Sequence, residues 1–216
     1  MDIEQARFNM VQQQIRPCDV HEKELLALLM KVKREKFTPE SYQQIAFSDL
    51  EVPLPGGQTM LSPRVEAMLL QALAIEKSNK VLEIGTGSGY VTALIAKLAD
   101  FVYSVEINEE NKHLAIQNLI YAGINNVSIV HGNGLEGLAS KAPYDRIFIG
   151  GALLEAPELI KSQLRVGGKL VGFTGQRPIL HAVLIERVSE NEYVETKLFE
   201  TDIEYLINEN NKYFTF

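Results

Sequence analysis

From Lys80 onward, the chain alternates between short apolar runs and longer segments whose apolar residues recur at helical spacing. Continuously apolar runs predict strands buried on both faces, and helix-length segments between them predict parallel crossovers. The sequence therefore predicts an α/β fold with a mostly parallel sheet. The predicted strands cover 81–84, 102–105, 127–130, 145–149 and 169–173, and the predicted helices cover 89–98, 109–122 and 156–164.

Two further apolar runs, 181–188 and 193–199, lie only a few residues apart. That gap is too short for a crossover helix, so these strands are predicted to pair in antiparallel fashion. A Rossmann-like sheet that is mostly parallel and closes with antiparallel C-terminal strands is typical of class I methyltransferases. This is the fold class that the pattern favours.

The N-terminal sixty residues are predicted to be mainly helical. Asp19 is the expected N-cap of one helix, because Glu22 follows three residues later and leucines then recur at helical spacing. Thr38-Pro39 and Ser62-Pro63 each combine a capping residue with proline at the first helical position. Two more helical segments are therefore expected to begin there, with Ser62 as an N-cap.

A length of 216 residues fits one domain. We expect a single domain over 1–216, in which 1–79 form a helical cap with a substrate loop and 80–200 form the cofactor-binding core. No apolar run approaches the ~18 residues needed to cross a bilayer. The first residues also lack the basic and then apolar pattern of a signal peptide. The sequence therefore predicts a cytoplasmic protein without a membrane partner.

The charged and metal-binding residues exclude several functions. Cys18 is the single cysteine, so an internal disulfide and a cysteine metal cluster are excluded, and the four histidines show no metal-ligand spacing. A net charge of −7 disfavours nucleic acid as a partner. The basic cluster Lys31, Lys33, Arg34 and Lys36 is interpreted as the solvated end of a helix rather than an RNA-binding patch. Oligomeric state is left open.

A glycine-rich turn is the strongest motif in the chain. A predicted buried strand runs directly into Gly85-Thr86-Gly87-Ser88-Gly89 and then into a helix. Glycines remove Cβ atoms where a ligand contacts the backbone, and ligands of open α/β sheets bind at the carboxyl ends of the strands. The turn therefore predicts a ligand site, with Gly85, Thr86, Gly87 and Gly89 as candidate contacts.

The spacing of the motif favours S-adenosylmethionine over a dinucleotide. The dinucleotide fingerprint needs its third glycine at position 90, where this chain has Tyr90. Glu83, just before the turn, is expected to help hold the charged amino-acid end of the cofactor. Glu106, at the end of the second strand and followed by Ile107, is expected to accept hydrogen bonds from both ribose hydroxyls.

The segment after the third strand is the last candidate for cofactor binding. Asn133 can offer its side-chain carbonyl to the exocyclic amine of adenine, with Gly134 beside it. Asn-Gly is equally well explained as a plain turn dipeptide. Both interpretations stay open at this point.

Over nearly its whole length the chain resembles the protein-L-isoaspartate O-methyltransferase family. The resemblance implies methyl transfer from S-adenosylmethionine to isoaspartyl carboxylates of damaged proteins. It also implies that Gln58 and Thr59 lie at the acceptor. The shared segments are Phe37-Thr38-Pro39-Glu40, Pro53–Thr59, Val81–Tyr90, Ser104-Val105-Glu106, Ala142–Asp145 and Leu164–Leu170.

One departure from the family pattern affects the predicted acceptor site. The loop reads Gly57-Gln58-Thr59-Met60-Leu61-Ser62-Pro63, so Leu61 occupies the place of the family's serine. Ser62 comes one residue late, and its role as an N-cap is favoured over a catalytic role, which stays a second candidate. Losing a hydrogen bond worth about 0.5–3 kcal/mol is expected to slow repair by about 10- to 100-fold. Three alternatives remain: a methyltransferase with another acceptor, a cofactor-binding module without catalysis, and a nucleotide-dependent oxidoreductase, which Tyr90 disfavours.

Overall fold

The N-terminal part is built mainly from helical segments, as predicted. The computed structural model describes residues 2–207, so both ends of the predicted 1–216 domain lie outside the described residues. The elements are α1 (Ile3–Asn9), a π-helical turn (Met10–Ile15), α2 (Lys23–Lys31), β1 (Val52–Pro53), β2 (Thr59–Met60) and α3 (Pro63–Leu73), with 3₁₀ turns at Arg16–Cys18, Arg34–Lys36 and Glu40–Ile45.

Two of the predicted N-caps are wrong. Asp19 adopts the left-handed conformation with φ 59°, and α2 is capped instead by Glu22, whose carboxylate accepts from the Glu24 N–H at 3.1 Å. The Thr38 hydroxyl donates to the Arg34 carbonyl at 3.1 Å and caps nothing. The helical turn that follows begins at Glu40. In both cases a nearby tertiary or local hydrogen bond overrides the capping pattern.

The remaining elements follow the predicted alternation of strands and helices. The predicted helix 156–164 shrinks to four residues, because Leu164 already begins the next strand. The elements are β3 (Lys80–Ile84), α4 (Tyr90–Leu98), β4 (Phe101–Glu106), α5 (Glu109–Tyr121), β5 (Val127–His131), β6 (Tyr144–Leu153), α6 (Glu158–Lys161), β7 (Leu164–Gln176), β8 (Ile179–Ser189) and β9 (Glu192–Thr201).

Strands β3 to β9 form one sheet in the order β5-β4-β3-β6-β7-β8-β9. The first five strands of that order are parallel, while the β7–β8 and β8–β9 pairs are antiparallel. The predicted fold is thereby confirmed. Because β3, β4, β5 and β6 run parallel, their carboxyl ends meet at one edge of the sheet, where ligands of open α/β sheets bind.

Apolar side chains cover both faces of the sheet. Successive residues of β3 point to opposite faces, so Val81 joins the cluster beneath the N-terminal helices while Leu82 joins a second cluster with Ile147 and Leu164. The N-terminal helices thus bury one face and fix the loop of β1 and β2 near the carboxyl edge. None of the helices within residues 2–207 has the length and apolarity that crossing a bilayer requires.

Candidate functional site

The glycine turn joins β3 to α4 at the carboxyl edge of the sheet. Gly85 and Gly87 have φ values of +88° and +55°, which residues with a Cβ rarely adopt. A Cβ on Gly87 would lie 3.1 Å from the Leu54 side chain. The missing side chain therefore lets the loop between β1 and β2 approach the turn. A valine at position 87 would therefore crowd the Leu54 side chain of this loop.

Gly89 has a different role from the one predicted. Its φ is +82°, and a Cβ would lie 3.3 Å from the backbone of Ala115 in α5. Gly89 does not line the cleft at the carboxyl edge. Glycine is needed here because α4 and α5 approach closely, so the predicted contact with a cofactor is replaced by helix packing.

Glu106 lies at the end of β4 and faces the cleft. Its two carboxylate oxygens accept the backbone N–H groups of Gly87 and Asn108, each at 2.8 Å. These bonds fix the carboxylate beside the glycine turn. Only 3% of the surface of Glu106 is exposed. A carboxylate has about four acceptor positions. Two therefore remain for donors from a ligand.

The cleft gathers most of the predicted site residues from four separate segments of the chain. Its lining includes Gln58, Thr59, Leu61, Gly85, Gly87, Glu106, Ile107, Asn133 and Gly134. Two further contributors were not predicted from the sequence: Gly150 and Gly151 in β6, and the segment 203–207 near the C-terminus. The pair Gly150-Gly151 directly follows the predicted strand 145–149, and this position at a strand end could have identified it as part of the site. No motif marks the second.

The C-terminal segment closes over the cleft. The Leu206 N–H donates to the Ala152 carbonyl at 2.9 Å, and the Leu206 side chain lies 2.7 Å from the position of a Cβ on Gly151. The cavity that remains has a volume of about 70 Å³. The Leu206 side chain therefore narrows the cleft beside Gly151.

Glu83 is not part of the cleft surface, contrary to expectation. Its side chain is fully buried under the turn, where the hydroxyls of Thr92 and Ser104 donate to Oε2 at 2.5 and 2.6 Å. Its Oε1 has no partner among the described residues. Burial raises the pKa of Glu83 to about 8, and the negative charge of Glu106 adds to the shift. Glu83 therefore supports the turn from below and cannot hold a ligand in the cleft.

Glu83→Gln is expected to remove a pH dependence of stability. The folded-state pKa is raised from 4.5 to about 8, so the stability from the protonated carboxyl is fully present below about pH 4.5 and is lost as pH rises to about 8. The neutral amide avoids this loss. At pH 9 the variant should exceed wild type by about 2–4 kcal/mol in free energy of unfolding. Urea unfolding between pH 5 and 9 measures this difference.

The exposed Glu110 provides the control, because Glu110→Gln removes a carboxylate from the surface of α5. Its unfolding curve should follow that of wild type at every pH. If the curves of wild type and Glu83→Gln also stayed parallel from pH 5 to 9, Glu83 would not be the buried titrating group.

Thr86 and Ser62 lie beside the cleft rather than in it. The Thr86 hydroxyl pairs with that of Ser104 at 2.6 Å, and Thr86 lines a smaller neighbouring cavity together with Leu61 and Glu66. Ser62 occupies the N-cap position of α3 as expected, but its hydroxyl makes no hydrogen bond to the helix N–H groups. Neither hydroxyl lines the main cleft.

The loop predicted to hold the acceptor is fixed by hydrogen bonds to its side chains. Gln58 accepts from the Asn111 side-chain amide at 2.6 Å, which ties the loop to α5. The Thr59 hydroxyl donates to Glu51 at 2.7 Å. Both side chains also line the cleft, so their positions are set before any ligand arrives.

Arg34 anchors the same loop from beneath, a role that its place in the sequence did not predict. Its guanidinium donates to the Leu61 carbonyl at 2.7 Å and to the Ala46 carbonyl at 2.9 Å, and it forms an ion pair with Glu66. Both charged side chains are almost completely buried. Of the basic cluster in the sequence, Arg34 therefore points into the protein, while Lys31, Lys33 and Lys36 stay exposed as expected.

Asn133 forms the turn that one of the two interpretations predicted, while its contact with adenine stays a prediction. Its side-chain oxygen accepts from the Leu135 N–H at 3.1 Å and begins a 3₁₀ turn, while the residue also lines the cleft. A Cβ on Gly134 would collide with the Ile84 side chain, so the position after Asn133 favours glycine.

The mostly parallel sheet with its antiparallel end, and the glycine turn at the carboxyl edge beside Glu106, define a class I methyltransferase fold. A family model described as "Protein-L-isoaspartate(D-aspartate) O-methyltransferase (PCMT)" matches residues 5–206. The chain belongs to this family, as its sequence motifs indicated.

Individual relatives agree with this assignment. A protein-L-isoaspartate O-methyltransferase of Methanoculleus marisnigri is 39% identical over 171 residues, which cover 79% of this chain and 78% of the relative. A solved structure of a protein-L-isoaspartate O-methyltransferase is similar with a TM-score of 0.82 at 25% identity, covering 95% of this chain and 66% of that chain. A Plasmodium falciparum structure in complex with S-adenosyl-L-homocysteine shares the fold, with a TM-score of 0.80, 19% identity and coverage of 96% and 99%.

Proposed function

We propose that this chain binds S-adenosylmethionine in the cleft and methylates the free carboxylate of isoaspartyl residues in damaged proteins. The observation that carries the proposal is the loop of Gln58, Thr59 and Leu61, which lies across one cleft from the glycine turn and Glu106. Membership of the isoaspartate methyltransferase family over residues 5–206 supports it.

The cleft suits an adenosyl cofactor. Gly85 and Gly87 present backbone without Cβ atoms, and Glu106 keeps acceptor positions for the two ribose hydroxyls. Asn133 lines the same cleft, and we assign its side chain to the adenine edge. When bound, the cofactor supplies an electrophilic methyl group on a sulfonium. The described residues around the cleft supply binding and orientation.

The acceptor chemistry needs little from the protein beyond positioning. An isoaspartyl carboxylate is ionised at pH 7, so no general base is required. The chain must hold one carboxylate oxygen in line with the methyl group at near-attack distance and shielded from water. Gln58, whose side-chain oxygen accepts from Asn111, can offer its amide N–H donors to the carboxylate, whereas the single hydroxyl donor of Thr59 is engaged by Glu51. The apolar Leu61 offers the acceptor no hydrogen-bond donor from its side chain.

We further propose a single cytoplasmic domain, with 1–79 as cap and 80–200 as core. The single free cysteine, Cys18, agrees with a reducing compartment. The partner we propose is a protein or peptide that carries isoaspartate.

Leu61→Ser is expected to raise kcat/KM for an isoaspartyl peptide by about tenfold, because a hydroxyl adds one hydrogen bond to the carboxylate. The measurement compares wild type and variant on one isoaspartyl peptide and on its normal aspartyl twin. Leu61→Ala is the matched control, since it shortens the side chain without adding a donor and should bring no gain.

Equal gains for the serine and alanine variants would show that space rather than a hydrogen bond limits the reaction. Cofactor binding without turnover of either peptide by any variant would contradict isoaspartyl repair. That result would favour the other candidate function, a methyltransferase for a different acceptor, which the apolar Leu61 at the cleft also suits.

A further inference from the structure

A second and larger cavity, here called the lysine groove, lies between α2, α4 and the end of α5. Its volume is about 640 Å³, and it shares no lining residue with the cleft. The apolar part of its lining includes Leu28, Val32, Phe37, Leu98 and Ile124. A concave apolar surface of this size is large enough to accept side chains from a partner.

Four lysines surround the apolar part of the groove: Lys31, Lys33, Lys36 and Lys97. All four are exposed, and none forms an ion pair with any residue in the part of the chain that the structure describes. Lys31 and Lys97 lie in the last turns of α2 and α4, where a positive charge stabilises the helix C-terminus. This explanation does not apply to Lys33 and Lys36, which lie outside both helices. Glu24 also lines the groove, but it is paired with Lys77 at 2.8 Å. The concentration of unpaired positive charge that remains, in a chain of net charge −7, fits a negatively charged partner.

The apolar surface continues beyond the groove along the end of α5. Tyr121, which lines the groove, is 73% exposed, and its neighbour Ile120 is 72% exposed. Exposed tyrosine beside an apolar depression is characteristic of protein interfaces rather than of solvated surface. The combined surface therefore extends further than a small molecule occupying the groove would cover.

We propose that the lysine groove binds an acidic amphipathic segment of a partner protein. The partner's apolar side chains occupy the groove while its carboxylates meet Lys31, Lys33, Lys36 and Lys97, as a helix binds in a groove. Nucleic acid fits less well, because the groove is lined by aliphatic side chains with two aromatic residues and no arginine, and stacking surfaces are what single strands require.

The test uses a fluorescently labelled synthetic peptide with glutamates on one helical face and leucines on the other. Fluorescence anisotropy should show saturable binding to wild type with Kd below about 100 µM. Lys33→Glu/Lys36→Glu should weaken binding at least tenfold, and Tyr121→Ser about fivefold. Lys197→Glu, an exposed lysine on β9 outside the groove, should leave the Kd unchanged.

Two peptide controls separate charge from apolar contact: replacing the glutamates by glutamine, or the leucines by serine, should each weaken binding severalfold. If Lys33→Glu/Lys36→Glu lowers the melting temperature, Lys31→Glu/Lys97→Glu replaces it. The proposal is overturned by absent saturation at 1 mM, or by equal weakening in Lys197→Glu. It is also overturned if an oligonucleotide or phosphatidylglycerol vesicles bind through these lysines more tightly than the peptide.

Discussion

Arg34→Met is expected to lower the free energy of unfolding by about 3–5 kcal/mol, because it leaves the carboxylate of Glu66 buried without its partner. The carbonyls of Leu61 and Ala46 lose their donor at the same time. Urea denaturation of wild type and variant measures the difference. The loop that contains Leu61 should also become less rigid. The rate of methyl transfer by Arg34→Met should therefore fall even under conditions in which the variant is folded.

Two comparisons show whether burial causes this loss. Arg64 forms an ion pair with Asp49, but its side chain is 40% exposed, so Arg64→Met should cost no more than about 1 kcal/mol. Replacing both members of the buried pair, as Arg34→Met/Glu66→Leu, should recover part of the loss because no unpaired charge remains. If the double variant were as unstable as Arg34→Met, the lost free energy of unfolding would come from the hydrogen bonds to the Leu61 and Ala46 carbonyls.

Glu106→Ala is expected to lower the affinity for S-adenosylhomocysteine by one to several orders of magnitude. Each hydrogen bond from a ribose hydroxyl to the carboxylate contributes about 1.5–3 kcal/mol. The substitution also removes the acceptor that fixes the Gly87 and Asn108 N–H groups. Isothermal titration calorimetry gives the two dissociation constants directly.

Glu109→Ala is the matched control, since it removes a nearby carboxylate that is exposed and does not line the cleft. Its affinity for the same ligand should equal that of wild type. If Glu106→Ala bound the ligand as tightly as wild type, Glu106 would not bind the ribose hydroxyls, and another polar group that lines the cleft would have to do so.

The sequence was sufficient for features that depend on local pattern. The alternation of strands and helices, the antiparallel end of the sheet and the glycine turn all follow from spacing within short segments. Glu106 was also placed correctly beside the turn, because strands in parallel register bring their carboxyl ends together. Its contact with a ribose remains a prediction.

The features that sequence did not reveal depend on distant partners. Glu83 belongs to a strand that is buried on both faces, so the apolar pattern does not show which way its side chain points. The hydroxyls of Thr92 and Ser104 hold that side chain under the turn, and no periodicity in the sequence identifies these two partners. Arg34 lies within a run of lysines and is buried because Glu66, 32 positions later, and the carbonyls of Ala46 and Leu61 meet it in the fold. The C-terminal segment near Leu206 returns to the cleft through hydrogen bonds with β6 that leave no mark in its sequence.

The central claim is that this cleft transfers a methyl group to an isoaspartyl carboxylate. The most direct test incubates the protein with S-adenosylmethionine carrying a radiolabelled methyl group and either an isoaspartyl peptide or its aspartyl twin. We predict a base-labile methyl ester on the isoaspartyl peptide alone, slower for Glu106→Ala and faster for Leu61→Ser. Label on neither peptide, or equal label on both, from a protein that binds S-adenosylhomocysteine would contradict the claim.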